Sequence, residues 1–154
     1  MEDLSALEQG LVPASLAGRV VDGALTPPHV AKRIRQHLAD GKPAHWISTY
    51  YILDAEGWCV GGCGFKDAPR DRQVEVGYAV AASRRQRGHA GAALRALLQT
   101  AAASGEVDTV QALIAPDNVP SARLAARAGF VAAESVIDDD NEVVVCWRCP
   151  LQAR

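Results

Sequence analysis

The stretch VEVGYAVAASRRQRGHAGAAL, Val74 to Leu94, is the most constraining part of the chain. Its first seven residues alternate β-branched or aromatic with smaller or polar side chains, which predicts a strand over Val74–Val80. From Gly88 onward Ala90, Leu94, Leu97, Leu98 and Ala101 fall on one face of a helix. A strand that turns at once into a helix leaves the first N–H groups of that helix exposed at a sheet edge. Those groups and the positive end of the helix dipole make an anion site. Gly88 and Gly91 lack a Cβ and so admit a phosphate close to the backbone, while Arg85 and Arg87 bring charge.

Three uses of this cluster stand side by side: a phosphate cradle, a nucleic-acid patch, or the solvated start of a helix. The dipole disfavours cations at a helix N-terminus, so an anion would repair the mismatch. Neither G-x-x-x-x-G-K-[ST] nor G-x-G-x-x-G is present. Sixteen basic against eighteen acidic residues leave a net charge of -2. Such a balance gives no general field for nucleic acid, so phosphate recognition must be local.

The 154 residues suit one domain, 1–154, with a substantial core. Residues 1–25 are the least readable, one or two short helices interrupted by Pro13 and Gly18. Pro27 and Pro28 open a helix carrying Val30, Ile34 and Leu38 on one face, and Asp40–Pro43 stop it. His45–Leu53, Trp58–Phe65 and Val74–Val80 read as an antiparallel meander. After the central helix come a strand over Thr109–Ala115 and a helix opened by Asn118 and Pro120 and closed at Gly129. Two strands around the acidic tip DDDNE complete an α/β fold with a mixed sheet.

No apolar run approaches the roughly 20 residues of a membrane span, and the acidic opening MEDLSALEQG is unlike a signal peptide, so a cytoplasmic address is expected. The spacings CVGGC and CWRC loosely suggest a four-thiolate zinc site. Their strand-like contexts favour reduced, buried thiols instead, and no metal is expected.

Arg85-Gln86-Arg87-Gly88-His89-Ala90 resembles the Q/R-x-x-G-x-G/A signature of the GCN5-related N-acetyltransferases. VEVGYAV is similar to the strand before that signature. DNVPSARLAARAGF is similar to the family's later N-x-x-S…GF segment, with Asn118, Ser121, Gly129 and Phe130 in step. The pattern covers roughly residues 45–150 and lies nearest the branch that acetylates ribosomal-protein N-termini. The resemblance implies acetyl-coenzyme A as donor, with residues 79–130 as the coenzyme-binding core. Arg85, Gln86, Arg87, Gly88, His89, Ala90 and Gly91 would surround the pyrophosphate, Ala79 and Val80 would offer backbone groups to the pantetheine arm, and Asn118 would sit near the arm or thiol.

Acyl transfer to an amine needs a proton acceptor. Strand alternation puts Glu75, Gly77 and Ala79 on one face, a carboxylate followed by small side chains, and makes Glu75 the candidate base. Many family members carry a tyrosine four residues after the serine; here that residue is Ala125, and Ser121 becomes the candidate acid. Trp46, Tyr50, Tyr51 and Trp58 suit either a core or an acceptor pocket. The expected activity is direct acetyl transfer to a primary amine on a small molecule or a peptide N-terminus, by a monomer or homodimer. The alternative is a non-catalytic acyl-CoA-binding sensor or partner domain.

Overall fold

The computed structural model describes residues 2–151. Six strands form one sheet in the order β1-β2-β3-β4-β6-β5: β1 Thr49–Leu53, β2 Cys59–Phe65, β3 Gln73–Val80, β4 Thr109–Ile114, β5 Val131–Ile137 and β6 Val143–Pro150. The meander β1-β2-β3 is antiparallel, β3 and β4 are parallel, and β6 runs antiparallel between β4 and β5. Four helices accompany it: α1 Glu2–Glu8, α2 Pro28–Ala39, α3 His89–Ser104 and α4 Val119–Arg127. Among the described residues no helix is long and apolar enough to cross a membrane.

The parallel β3–β4 pair requires a crossover, and α3 supplies it. Leu94, Leu97 and Ala101 bury the face of α3 that packs on the meander. On β4 the alternation is clean: Val110, Ala112 and Ile114 are buried, and Gln111 and Leu113 are half-buried. Each buried leucine, valine or isoleucine among them contributes about 1.5–3 kcal/mol, and each alanine less than about 1 kcal/mol. α4 begins where the Asn118 Oδ1 accepts from the Ser121 N–H at 3.3 Å, an N-cap bond. It ends in a Schellman turn: Gly129, at φ +101°, donates to the Ala126 carbonyl, and buried Phe130 donates to that of Ala125.

β2 owes its close approach to glycine. A Cβ at Gly61 would lie 2.1 Å from the Ala79 carbonyl oxygen, and one at Gly64 would lie 2.5 Å from that of Ser48. β5 is one of the two edge strands and is exposed along nearly its whole length. Its register against β6 shifts between Ala132 and Ser135, a bulge.

One segment differs from the sequence expectation. The strand foreseen from His45 begins only at Thr49, because Pro43 starts a 3-10 turn over Ala44–Trp46. That turn buries Trp46 against Phe65, edge to face at 4.8 Å. Trp46 is therefore core, whereas Tyr50 and Trp58 are exposed and the Tyr51 hydroxyl donates to Asp3 of α1. Residues 2–25 hold α1 and one 3-10 turn, Ala14–Leu16, in keeping with the short helices expected there.

Candidate active site

Parallel pairing of β3 with β4 stops at Glu75 opposite Gln111, yet β3 continues to Val80 and β4 to Ile114. Beyond that pair no bonded neighbour joins the two strands, and a wedge opens between them. Hydrogen-bond alternation fixes what lines it. Lys66 donates to the Glu75 carbonyl at 2.9 Å and Ala81 to that of Val60 at 2.8 Å. In an antiparallel ladder this alternation turns the backbone groups of Glu75, Gly77, Ala79 and Ala81 towards β2. Those of Tyr78 and Val80 turn the other way, into the wedge. The ladder with β2 thus occupies the Ala79 backbone, while the Val80 carbonyl accepts from Arg85 Nε at 3.1 Å.

At the open end of the wedge, the chain leaves β3 through a 3-10 turn, Ala82–Arg84, and enters α3. Gln86 has φ 64° and Gly88 has φ 83°; left-handed residues in such a turn gather successive amides into a concave, anion-binding surface. Gly88 is the N-cap of α3 and no side chain caps the helix. The first helical bond runs from Ala92 to the Gly88 carbonyl, which leaves the His89, Ala90 and Gly91 amides without a helical partner. A Cβ at Gly88 would meet nothing within 4 Å, so open space lies over the turn. Arg85, Gln86 and Arg87 are exposed around it. The uncapped amides, the basic rim and the wedge with its free strand amides fit a long phosphorylated coenzyme with an extended, amide-bearing arm.

Glu75 lies at the closed end of the wedge, five residues or about 17 Å of strand from Val80. Its side chain is mostly buried and its Oε2 lies 2.6 Å from Lys66 Nζ. The distance is that of an ion pair; the angles fall outside those of a hydrogen bond, and the buried Oε2 has no other partner. Beside it opens a cavity of about 360 Å³ bordered by Asp67, Asp71 and Gln111.

Across the wedge the Tyr78 hydroxyl reaches the Ser121 carbonyl at 3.5 Å, joining β3 to the first turn of α4. Burial raises the Tyr78 phenol above its ordinary range, and its contact with Ser121 opposes this only in part. The phenol therefore keeps its proton at neutral pH. Ala125, four residues after Ser121, is fully buried.

The sequence reading gave no role to Tyr78 or to Lys66. Counting the meander register outward from Phe65–Val76 would have paired Lys66 with Glu75. A larger groove, about 430 Å³, lies between β1 and α3 with Tyr50, His89 and Ala92 on its wall, away from Glu75. The four cysteines are free. Among the described residues no three His, Cys, Asp or Glu side chains form a metal-binding group.

The sheet, the wedge and the uncapped helix start give a mixed α/β fold with a candidate coenzyme cleft, and comparison with known proteins identifies the family. The family model described as an acetyltransferase (GNAT) domain matches residues 9–131. The chain belongs to the GNAT acetyltransferase family, whose members are acetyl-CoA-dependent N-acetyltransferases. Among solved structures it is similar to a GNAT-family acetyltransferase from Bordetella pertussis, at 31% identity and TM-score 0.59, over 77% of this chain and 71% of that one. RimJ from Mycobacterium smegmatis, solved with CoA-disulfide, matches at 21% identity and TM-score 0.62, over 80% of this chain and 60% of that one. A ribosomal-protein-serine acetyltransferase from Vibrio cholerae matches at 16% identity and TM-score 0.65, over 80% and 72%. At those two lower identities the likeness is one of fold. No curated protein sequence matches the chain.

Proposed function

We propose that the protein transfers an acetyl group directly from acetyl-CoA to a primary amine, with Glu75 as the base. The observation that carries this reading is the end of β3–β4 pairing at Glu75 and Gln111. It puts a buried carboxylate at the closed end of a wedge whose open end carries the uncapped amides of α3.

In this reading the amides from Arg87 to Gly91 hold the pyrophosphate, with Arg85, Gln86 and His89 at its rim. The Tyr78 backbone groups and the Val80 amide, all facing the wedge, pair with the pantetheine arm as an added strand would. Ala79 contributes a small, exposed side chain beside the arm. Asn118 spends its Oδ1 on the cap and turns its amide nitrogen to the same task. Acetyl-CoA supplies the acetyl thioester. Glu75 accepts a proton from the acceptor ammonium, and the free amine then forms a C–N bond as the C–S bond breaks. Of the two protons the nitrogen loses, one passes through Glu75 to water and the other ends on the departing thiolate. Tyr78, protonated at neutral pH, stands beside Ser121 as a second candidate for that donation. Positioning of this kind, with one base, accounts for about 10²–10⁴-fold of rate through the proton transfer alone.

Two measurements test the proposal. Acetyl-CoA should raise the melting temperature in proportion to the logarithm of its concentration. Thiol release should then appear in a screen of amines that includes polyamines, aminoglycosides, amino acids and short peptides. Stabilisation without thiol release from any amine would point to a coenzyme sensor instead.

A further inference from the structure

The face beside Glu75 already contains an amine. Lys66 and Glu75 are directly opposite residues of the β2–β3 ladder, so their side chains share one face with Gly77. The Lys66 stem lies across Gly77: a Cβ there would come within 3.1 Å of Lys66 Cε and 3.9 Å of Cγ. Gly77 does not have the positive φ that would otherwise require glycine. What its missing side chain provides is room. An unbranched alkyl chain ending in an ammonium group occupies that room and sets its nitrogen 2.6 Å from Oε2.

The hold is weak. Lys66 and Glu75 are 39% and 21% exposed, and such ion pairs are worth little in water. The angles miss those of a hydrogen bond, so the buried Oε2 is left wanting a better donor. We propose that Lys66 fills in cis the position of the acceptor's amino group, and that the Gly77 gap selects an acceptor whose primary amine ends an unbranched alkyl stem. This rests on Glu75 being the base. An incoming ammonium displaces that of Lys66, and its stem lies over Gly77 as the lysine stem does. The carbon bearing the nitrogen falls at the tightest point, where the Cε of Lys66 now sits. A branch on that carbon, as in the α-amine of a peptide N-terminus, would meet the strand.

The test uses n-butylamine, which reproduces the lysine stem and ammonium, and sec-butylamine, which carries the same charge with a branch at the amine carbon. With acetyl-CoA saturating, Lys66→Ala should lower the KM for n-butylamine about five-fold, the factor that a displaced ion pair of up to 1 kcal/mol allows. The kcat should hardly change, and sec-butylamine should gain nothing. Adding Gly77→Ala to Lys66→Ala should cancel the gain.

Binding is read separately, without turnover, from the amide resonances of residues 75 and 77 during amine titration. These should move for n-butylamine in Lys66→Ala, and not when Glu75→Gln is added. Lys66→Ser serves the same purpose should the alanine variant fold poorly. Equal KM values in the wild type and the variant, or resonances that move alike for both amines, would overturn the inference. Resonances that respond as expected while no amine is acetylated would uphold the position and sink the acetyl-transfer reading instead.

Discussion

The two ends of β3 are built from different materials. At the Val80 end the candidate donor site is almost all main chain: strand groups facing the wedge, two left-handed residues and a helix start without a cap. At the Glu75 end the candidate acceptor site is side chains, chiefly one carboxylate, one lysine and the gap at Gly77. Main-chain recognition needs only the right backbone path and tolerates change in most side chains along it. Side-chain recognition concentrates in two or three residues and can be altered by one substitution. The donor can thus stay constant while the acceptor varies.

The contrast can be broken most severely at Glu75. Replacing it with glutamine should lower kcat/KM by about 10²–10⁴-fold through loss of the base, while acetyl-CoA still raises the melting temperature as in the wild type. Loss of both responses would mean that the two ends are not independent.

Gly88→Ala should act at the other end. Its left-handed φ makes alanine cost about 1 kcal/mol of stability, yet nothing in the protein itself stands within 4 Å of the new Cβ. A KM for acetyl-CoA raised about ten-fold, equivalent to roughly 1.4 kcal/mol, with the amine KM unchanged, would show a ligand approaching that backbone. An unchanged KM would remove Gly88 from the cradle.

Tyr78→Phe sits between the ends. Losing its bond to the Ser121 carbonyl should cost about 1 kcal/mol in urea denaturation. A fall in kcat that steepens above neutral pH would assign the phenol to thiolate protonation, and a pure stability loss would make it a strut.

The last effect is one of pH. Burial pushes the Cys63 thiol up to about 11 from 9.0, so the folded state holds that proton more tightly than the unfolded chain does. Its contribution is fully present below pH 9 and is lost as pH rises towards 11. Denaturant midpoints at pH 8 and 10.5 should differ in that direction, and Cys63→Ala should reduce the difference.

The same division explains what could be read in advance. The backbone path of the candidate cradle was legible because glycines and a strand-to-helix switch leave a mark in sequence: Gly88 takes the left-handed φ, as Gly129 does where α4 ends. The strand alternation that separated Glu75, Gly77 and Ala79 from the valines also agrees with the burial along β3. What could not be read were contacts between distant positions. Nothing local in the sequence says that Lys66 lies over Gly77, since the contact depends on the register across a seven-residue turn. Nor does alternation reveal that Tyr78, on the core face, spends its hydroxyl on α4. The late start of β1 has a local cause, Pro43, but aromatic and β-branched composition outweighed it in the reading.

The bulge in β5 bears on how concentrated a solution of this protein can be. Ala133 and Glu134 together stand opposite the single residue Cys146, and Glu134 is drawn back onto Arg148 by a two-pronged ion pair. The outer rim of the strand is therefore out of step with any straight strand laid beside it, although Val131 and Ile137 at its ends are 67% and 61% exposed. Deleting Ala133 would restore an even, sticky rim, and light scattering would then grow with protein concentration.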